Sequence, residues 1–148
     1  MDFLGLFLLI SGFVVGLGAV TVIDIHGFLG RKSSYWNEAT IRTHKVTKPL
    51  IWLGIFLVIV GGIIFYKEAD LLWIPIIHMV SVVFLVLNGI YLSFVISPRL
   101  IQRETQGRSQ ELLPESWKKK ITISLIISDI FWWGNLALLC FYIYKKLT

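Results

Sequence analysis

Charged residues are scarce in this chain. They make up 16% of its 148 residues, whereas hydrophobic residues make up 56% and the mean hydropathy is +0.77. A water-soluble chain carries roughly a quarter of its residues charged, because its surface must face water. The Lys and Arg residues flank apolar runs and form no continuous stripe, so the net charge of +5 does not indicate a nucleic-acid partner. The composition indicates a membrane protein.

Other sequence features are also missing. The single cysteine, Cys140, excludes an internal disulfide and a cysteine-based metal site. No Lys or Arg precedes Arg31, so the first apolar run lacks the basic region of a signal peptide, and we expect an uncleaved helix. The sequence has no Ser-His-Asp pattern, phosphate loop or HExxH motif, so nothing indicates an enzyme.

Long apolar runs are abundant. Four of them, at 3–23, 50–66, 71–96 and 121–144, are close to the roughly 20 residues that cross a bilayer as a helix. The sequence therefore predicts one all-α domain over 1–148, a four-helix transmembrane bundle with up-down-up-down topology. The predicted helices cover about 3–24, 49–66, 71–96 and 120–144. Pro49 and Pro75 fall in first turns, where proline is tolerated, and 102–116 reads as a polar loop.

The basic residues are distributed unevenly between the two sides. Five Lys and Arg lie in the connection 24–49 and six in the connection 97–120, which leaves only Lys67, Lys145 and Lys146 on the other side. Positive residues stay cytoplasmic. We therefore expect both longer connections in the cytoplasm, and both termini and the turn at 68–70 on the extracytoplasmic side of the cell membrane.

Glycines provide surfaces for close helix packing. Gly12 and Gly16 form a small-xxx-small step in helix 1, and Gly54 and Gly61 lie seven residues apart in helix 2. Packing within the monomer is the favoured interpretation, since three other helices are available. A homo-oligomer or a larger membrane complex stays open, and the lipid bilayer is the expected environment.

A few polar residues interrupt the apolar runs. At 1.5 Å per residue, one group falls in an outer layer and another in an inner layer, with Asp24 at the rim. On helix 3 the polar residues follow a spacing of three and four, which places them on one face. The outer candidates are Ser11, His78 and Asn135, Ser81 lies on the same face as His78, and the inner candidates are Asn88 and Asp129.

Asp129 is the most informative of these residues. A carboxylate at membrane depth costs about 2.5 to 3.5 kcal/mol, so it needs either a function or a partner. One interpretation is a proton or cation site. The other is a structural hydrogen bond to Asn88, which lies at matching depth on the neighbouring helix, and we predict that these two side chains meet.

His78 has three interpretations: a haem or metal ligand, a proton-relay group, or a structural donor to Ser11 or Asn135. A bis-histidine haem needs a second histidine at the same depth, and His26 and His44 both lie nearer the cytoplasmic side. No cofactor is therefore predicted, with haem b at His78 as the alternative. The roles of His26 and His44 stay open, because their spacing from Asp24 and Glu38 has no metal-site signature.

Short motifs are distributed over most of the chain. They are Gly16-Leu-Gly-Ala-Val-Thr-Val-Ile-Asp24, Lys48-Pro-Leu-Ile-Trp52, Leu87-Asn88-Gly89 with Ser97-Pro98, and Asp129 followed by Trp132. With these motifs the chain resembles a group of small bacterial four-helix inner-membrane proteins, distantly similar to the CopD-like and haem-b membrane proteins. The resemblance implies fold and topology. Haem-binding relatives usually carry a histidine in the first helix, where this chain has Ser11.

Three functions follow from these observations. The first is a multi-pass membrane protein with a polar intramembrane core and an accessory or small transport-related role. The second is a haem-b or metal-binding redox protein that uses His78. The third is a scaffold subunit that packs against a larger membrane complex through its glycines.

Overall fold

The computed structural model describes residues 2–69 and 73–148, and within these ranges it contains helices and no strand. The predicted Asp70 end of the outer turn lies outside the described residues. In chain order the elements are α1 (Phe3–Gly30), α2 (Ser34–Phe65), α3 (Trp73–Tyr91), a π-helical turn (Leu92–Ile96), α4 (Ser97–Thr105) and α5 (Glu115–Leu147). The predicted four-helix bundle is confirmed, because α3, the π turn and α4 form one continuous rod beside the other three.

Each rod can cross a bilayer. The four rods have 28, 32, 33 and 33 residues and are apolar enough to span a membrane. At 1.5 Å per residue they are about 42 to 50 Å long, which exceeds a hydrocarbon core of about 30 Å. Large apolar side chains such as Phe3, Ile63 and Phe94 are 82%, 70% and 71% exposed, as lipid-facing residues are. The chain is a multi-pass membrane protein.

The two ends of the bundle differ, and we name them by their content. The basic end carries the turn at residues 31–33 and the segment 106–114, and the terminal end carries Asp2, residues 66–69 and Thr148. α1 packs along α2 more closely than any other pair, α5 contacts α1 and α3, and α3 also contacts α2. The helices therefore form a ring in the order α1, α2, α3, α5.

The predicted helix bounds are wrong at the basic end, where the helices extend further. α1 continues to Gly30, and α5 begins at Glu115 instead of near residue 120. α2 begins at Ser34, capped by Ser33, so Pro49 lies inside it instead of opening it. Proline removes a single backbone hydrogen bond within a helix. The buried residues Ile41 and Thr47 hold the first part of α2 in place.

The predicted end of helix 3 at Ser97-Pro98 is also wrong, because the helix passes through the proline into α4. Pro98 lacks an N–H donor, and in a regular α-helix its ring would clash with the Phe94 carbonyl. The π-helical turn over Leu92–Ile96 lies directly before it and widens the helix at that position. The π-helical turn thus accommodates Pro98, and the helix continues through it.

Glycines allow α1 and α2 to touch backbone to backbone. A Cβ added to Gly12 would lie 2.8 Å from the Gly54 carbonyl oxygen, and one added to Gly61 would lie 2.6 Å from the Leu9 backbone nitrogen. Gly16 meets both the Gly54 backbone and the Trp132 ring. All four glycines singled out in the sequence therefore lie at contacts within the monomer.

The segment 106–114 folds back onto the basic end of α2. The Asn37 amide donates to the carbonyl oxygens of Ser109 at 2.7 Å and Glu111 at 3.0 Å, and Gln110 donates to Glu38 at 3.0 Å. The hydrogen bond from Arg108 lowers the pKa of Glu111. The predicted polar loop is thus tied to the bundle by hydrogen bonds, mostly to its backbone carbonyls.

Candidate functional site

Two carboxyl groups meet in the basic half of the bundle. The side chains of Asp24 on α1 and Asp129 on α5 interact with each other and line the same groove between the two helices. The Asp24 Oδ2 atom is buried and has no hydrogen-bond donor from the described residues. A carboxylate only accepts hydrogen bonds, so two carboxyls can bond to each other only when one of them carries a proton. We call these two residues the acid pair.

The predicted contact between Asp129 and Asn88 is wrong, because Asn88 pairs with Ser124, which lies five residues before Asp129 on α5. Ser124 Oγ donates to the Asn88 Oδ1 at 2.5 Å, and Asn88 Nδ2 donates to the Ser124 carbonyl at 3.0 Å. Ser124 and Ser128 lie on the buried face of α5, whereas Asp129 is rotated about 100° from Ser128. That rotation turns Asp129 toward α1, where Asp24 meets it.

A cavity of about 80 Å³ lies inside the bundle next to the acid pair. Its polar lining includes Asp24, His44, Lys48, Asn88 and Ser128. The His44 Nε2 atom is buried and has no partner from the described residues. One buried water molecule needs about 10 to 15 Å³ of such space and two to four polar partners, so this cavity can hold water.

A second cavity, of about 40 Å³, continues toward the basic end. It shares Gly27 and Thr40 with the first cavity and reaches Arg31 and Lys118. The two cavities therefore form a line from the basic end to Asp24. Toward the terminal end, Trp132 fills the bundle, with its ring against Gly16 and 6.0 Å from the Phe13 ring centroid.

The π-helical turn contributes to the wall of the larger cavity. Lys48 Nζ donates to the Ser93 carbonyl at 3.3 Å, and Trp52 Nε1 donates to the Ser93 hydroxyl at 3.0 Å. Lys48 also lies 5.8 Å from the Phe94 ring centroid. A cation is thus fixed in the same cavity wall as Asp24 and His44, with its charge directed at a backbone carbonyl.

The acid pair also faces outward. A surface groove of about 390 Å³ between α1 and α5 is lined by Asp24, Asp129, Thr21 and Trp133. Asp24 lines both this groove and the internal cavity, whereas Asp129 lines only the groove. Asp24 is therefore the member of the acid pair that lies between the interior of the bundle and its outer surface.

A different arrangement surrounds His78 in the terminal half. His78 Nε2 lies 2.6 Å from the Asn135 backbone carbonyl, and the Tyr66 hydroxyl lies 2.7 Å from His78 Nδ1. A carbonyl only accepts, so Nε2 donates to it and Nδ1 of the neutral ring accepts from Tyr66. Both ring nitrogens are engaged, and iron could bind His78 only if one of these bonds were broken.

The other outer candidates are placed differently from one another. Ser81 is buried on the same face of α3 as His78. The Asn135 side chain is 1% exposed, yet neither of its amide atoms has a partner from the described residues. Ser11 lies in a surface groove beside the exposed Phe7 and Val14, so it is not the acceptor for His78. Of the two acceptors predicted for a structural His78, the structure has Asn135, through its backbone carbonyl.

Sequence reasoning missed Tyr66, Ser124 and the pairing of Asp24. Measured along the observed helices from the terminal end, Asp24 lies about 32 Å along α1 and Asp129 about 27 Å along α5, so about one helical turn separates their levels. Counting from the ends of the apolar runs instead put Asp24 at the rim.

The remaining histidine, His26, lies near the basic end. Its Nδ1 is 3.1 Å from the Thr43 hydroxyl, and its ring centroid is 5.1 Å from that of Trp36. Over residues 2–69 and 73–148, no three His, Cys, Asp or Glu side chains are grouped so that they could hold a metal ion.

No protein-family model, curated protein or solved structure matches the chain. The relation to CopD-like and haem-b membrane proteins therefore stays a prediction.

Proposed function

We propose that this is a small transport-related membrane protein in which the acid pair takes up and releases a proton. The observation that carries the proposal is the direct contact between Asp24 and Asp129 in the membrane-spanning part of the bundle. Two carboxylates at such short range cannot both ionise easily, so the pair retains one shared proton. Ionisable residues within membrane helices are characteristic of proton relays.

Access to the pair supports a transport role better than a purely structural one. The two aligned cavities lead from the basic end to Asp24, and His44 with its unpartnered Nε2 lies in the wall of the larger one. A structural acid would be expected to have all its oxygens hydrogen-bonded. Trp132 against Gly16 closes the route beyond the pair, so net transport requires a second conformation in which this contact opens.

Proteoliposomes with a trapped pH dye test the proposal. A potassium diffusion potential set with valinomycin drives protons, and we expect the wild type to change the internal pH faster than empty liposomes do. Asp24→Asn and Asp129→Asn should abolish this difference, because an amide cannot release the shared proton. Asp2→Asn, a matched change at the terminal end, should retain it. A wild-type rate equal to that of empty liposomes would contradict the transport role.

Infrared spectroscopy examines the proton on the pair independently of transport. We expect a protonated-carboxyl stretch in the wild type that is absent from Asp24→Asn and Asp129→Asn but present in Asp2→Asn. Both amide variants should fold as stably as the wild type, because the amide keeps a hydrogen bond and removes the buried charge. Loss of the fold would favour a structural role for the acid pair.

We also propose that the basic end is cytoplasmic and that both termini are extracytoplasmic in a cell membrane, on the basis of the distribution of Lys and Arg. On a Cys140→Ser background, Glu68→Cys should react with an impermeant thiol reagent in intact cells, and Gln106→Cys should not. Both positions are exposed. Labelling of Gln106→Cys from outside the cell would show that the orientation is the reverse of the one proposed.

The redox alternative is best examined by a spectrum. Because both His78 nitrogens are engaged, we expect the purified protein to show no Soret band. A Soret band that is abolished by His78→Ala would replace the transport proposal with a haem-b function.

A further inference from the structure

A groove runs along the outer surface between α1 and α5, from the basic end toward the middle of the bundle. The part nearer the basic end, which we call the upper part, has a volume of about 400 Å³ and is lined by Arg31, Ser116, Lys119 and Thr122. The lower part of the groove, about 390 Å³, also includes Thr122 and ends at Trp133. From Lys119 to Trp133 the groove extends about 21 Å along α5. We call it the α1/α5 groove.

The upper part of the groove is cationic and polar. Arg31 and Lys119 line it together with two hydroxyl groups. The Arg31 guanidinium lies 5.7 Å from the Phe28 ring centroid, which holds it beside the groove. Glu115 also lines this part; its carboxylate is 2.8 Å from Lys118 Nζ and also interacts with Arg31, so one negative charge lies among the three positive charges of Arg31, Lys118 and Lys119. The remaining charge favours an anion with oxygen acceptors.

The lower part of the groove is apolar apart from its floor. Ile25, Phe28, Ile126 and Trp133 are 55%, 65%, 53% and 55% exposed there. These residues belong to helices that are long and apolar enough to span a membrane. The acid pair lies at the floor of this part, and any chain that occupies it covers the acid pair from the side of the bilayer.

One end of the groove is thus cationic and the other apolar, and the apolar end points into the membrane. An anionic phospholipid has the complementary distribution, since its phosphate joins a polar head group to apolar acyl chains. We propose that the α1/α5 groove binds an anionic phospholipid, with the phosphate at Arg31 and Lys119 and one acyl chain extending toward Trp133. This inference does not depend on proton transport.

Native mass spectrometry of the purified full-length protein, titrated with phosphatidylglycerol or phosphatidylcholine, tests the head-group end. We expect one retained phosphatidylglycerol and a preference for it over phosphatidylcholine. A surface cation contributes about 1 kcal/mol to anionic-lipid binding, so the double variant Arg31→Gln/Lys119→Gln should bind on the order of 10- to 30-fold more weakly. Lys32→Gln/Lys120→Gln makes the same charge change at neighbouring positions outside the groove and should bind as the wild type does.

The acyl end is tested by fluorescence. Phosphatidylglycerol brominated on its acyl chain should quench tryptophan emission, and the quenched component should be lost in Trp133→Phe. Equal binding of both lipids with no effect of the groove variant would show ordinary bilayer contact and overturn the proposal. Competition by soluble glycerophosphate, without quenching at Trp133, would show a site for a free phosphate ester and would overturn it as well.

Discussion

The two polar layers of the bundle differ in how their buried atoms are satisfied. In the terminal half, both nitrogens of His78 have partners, from Tyr66 and from the Asn135 carbonyl. In the basic half, an Asp24 oxygen and His44 Nε2 have none from the described residues, and they line a cavity. The Asn135 amide in the terminal half is also unpaired among the described residues, but it does not titrate. The basic half differs in that its unpaired atoms are titratable and line a cavity, and the proton proposal therefore rests on that half.

The largest expected effect is a loss of stability when the close contact between α1 and α2 in the terminal half is disturbed. Gly61→Val should destabilise the protein by roughly 3 kcal/mol relative to Gly62→Val, because the new side chain overpacks against backbone. A Cβ at Gly61 would lie 2.6 Å from the Leu9 nitrogen, whereas at Gly62 the nearest atom is Leu9 Cδ2 at 3.9 Å. Unfolding in detergent, followed by circular dichroism, measures both. Equal midpoints would show that the α1–α2 contact is loose.

Substitutions at His78 and Tyr66 test whether the two polar layers act independently. His78→Leu should lose about 2 kcal/mol of stability with two hydrogen bonds, and Tyr66→Phe about 1 kcal/mol with one. Neither change touches the acid pair, so the infrared carboxyl signal and the proton flux at a temperature where both variants are folded should match the wild type. Loss of proton flux in a folded His78→Leu protein would show that the two polar layers belong to one proton pathway.

A substitution at Asn135 tests whether an unpaired polar side chain in the terminal half lowers the stability of the protein. Its amide is buried without a partner from the described residues. A leucine of similar shape removes that desolvation penalty, so Asn135→Leu should stabilise the protein by about 1 kcal/mol in the same unfolding assay. A destabilised variant would mean that the amide is hydrogen-bonded, for example through an ordered water molecule.

The smallest expected effect lies in the basic half, at the contact that replaces the predicted one. Ser124→Ala removes the hydroxyl that donates to Asn88, while the bond from Asn88 to the Ser124 carbonyl stays. Interhelical side-chain hydrogen bonds in membranes average about 0.6 kcal/mol, and we expect a loss of that size with unchanged proton flux. A loss above about 2 kcal/mol would exceed what one such hydrogen bond contributes and would show that Asn88 stabilises the fold in other ways as well.

Much of the fold could be predicted from the residues alone. Uninterrupted hydrophobic runs predict membrane helices because every backbone polar group in lipid must be satisfied within its own segment. The same criterion underestimates helix length at the basic end. There the helices continue beyond the hydrocarbon, held by capping, by the docked 106–114 segment and by buried residues such as Ile41. A hydropathy pattern contains none of that information.

The candidate site was predicted only in part, for a reason that concerns rotation about the helix axis. One residue step turns a side chain by about 100°, so an error of one position changes which neighbour it faces. Asn88 and Asp129 were expected at one level and facing each other, but Asp129 turns toward Asp24, and Asn88 meets Ser124, about 7.5 Å along α5 from Asp129. The relative level of residues on different helices and the direction they face both depend on how all four helices pack.

Composition and the lengths of the apolar runs were enough to predict a chain that crosses a membrane four times as helices. The glycines of the first two helices predicted close helix packing, but not which helices meet. Which polar groups meet and which stay unpaired follows from the tertiary structure. Lipid satisfies no hydrogen bond, so each buried polar side chain depends on whatever neighbouring helix the packing brings within reach.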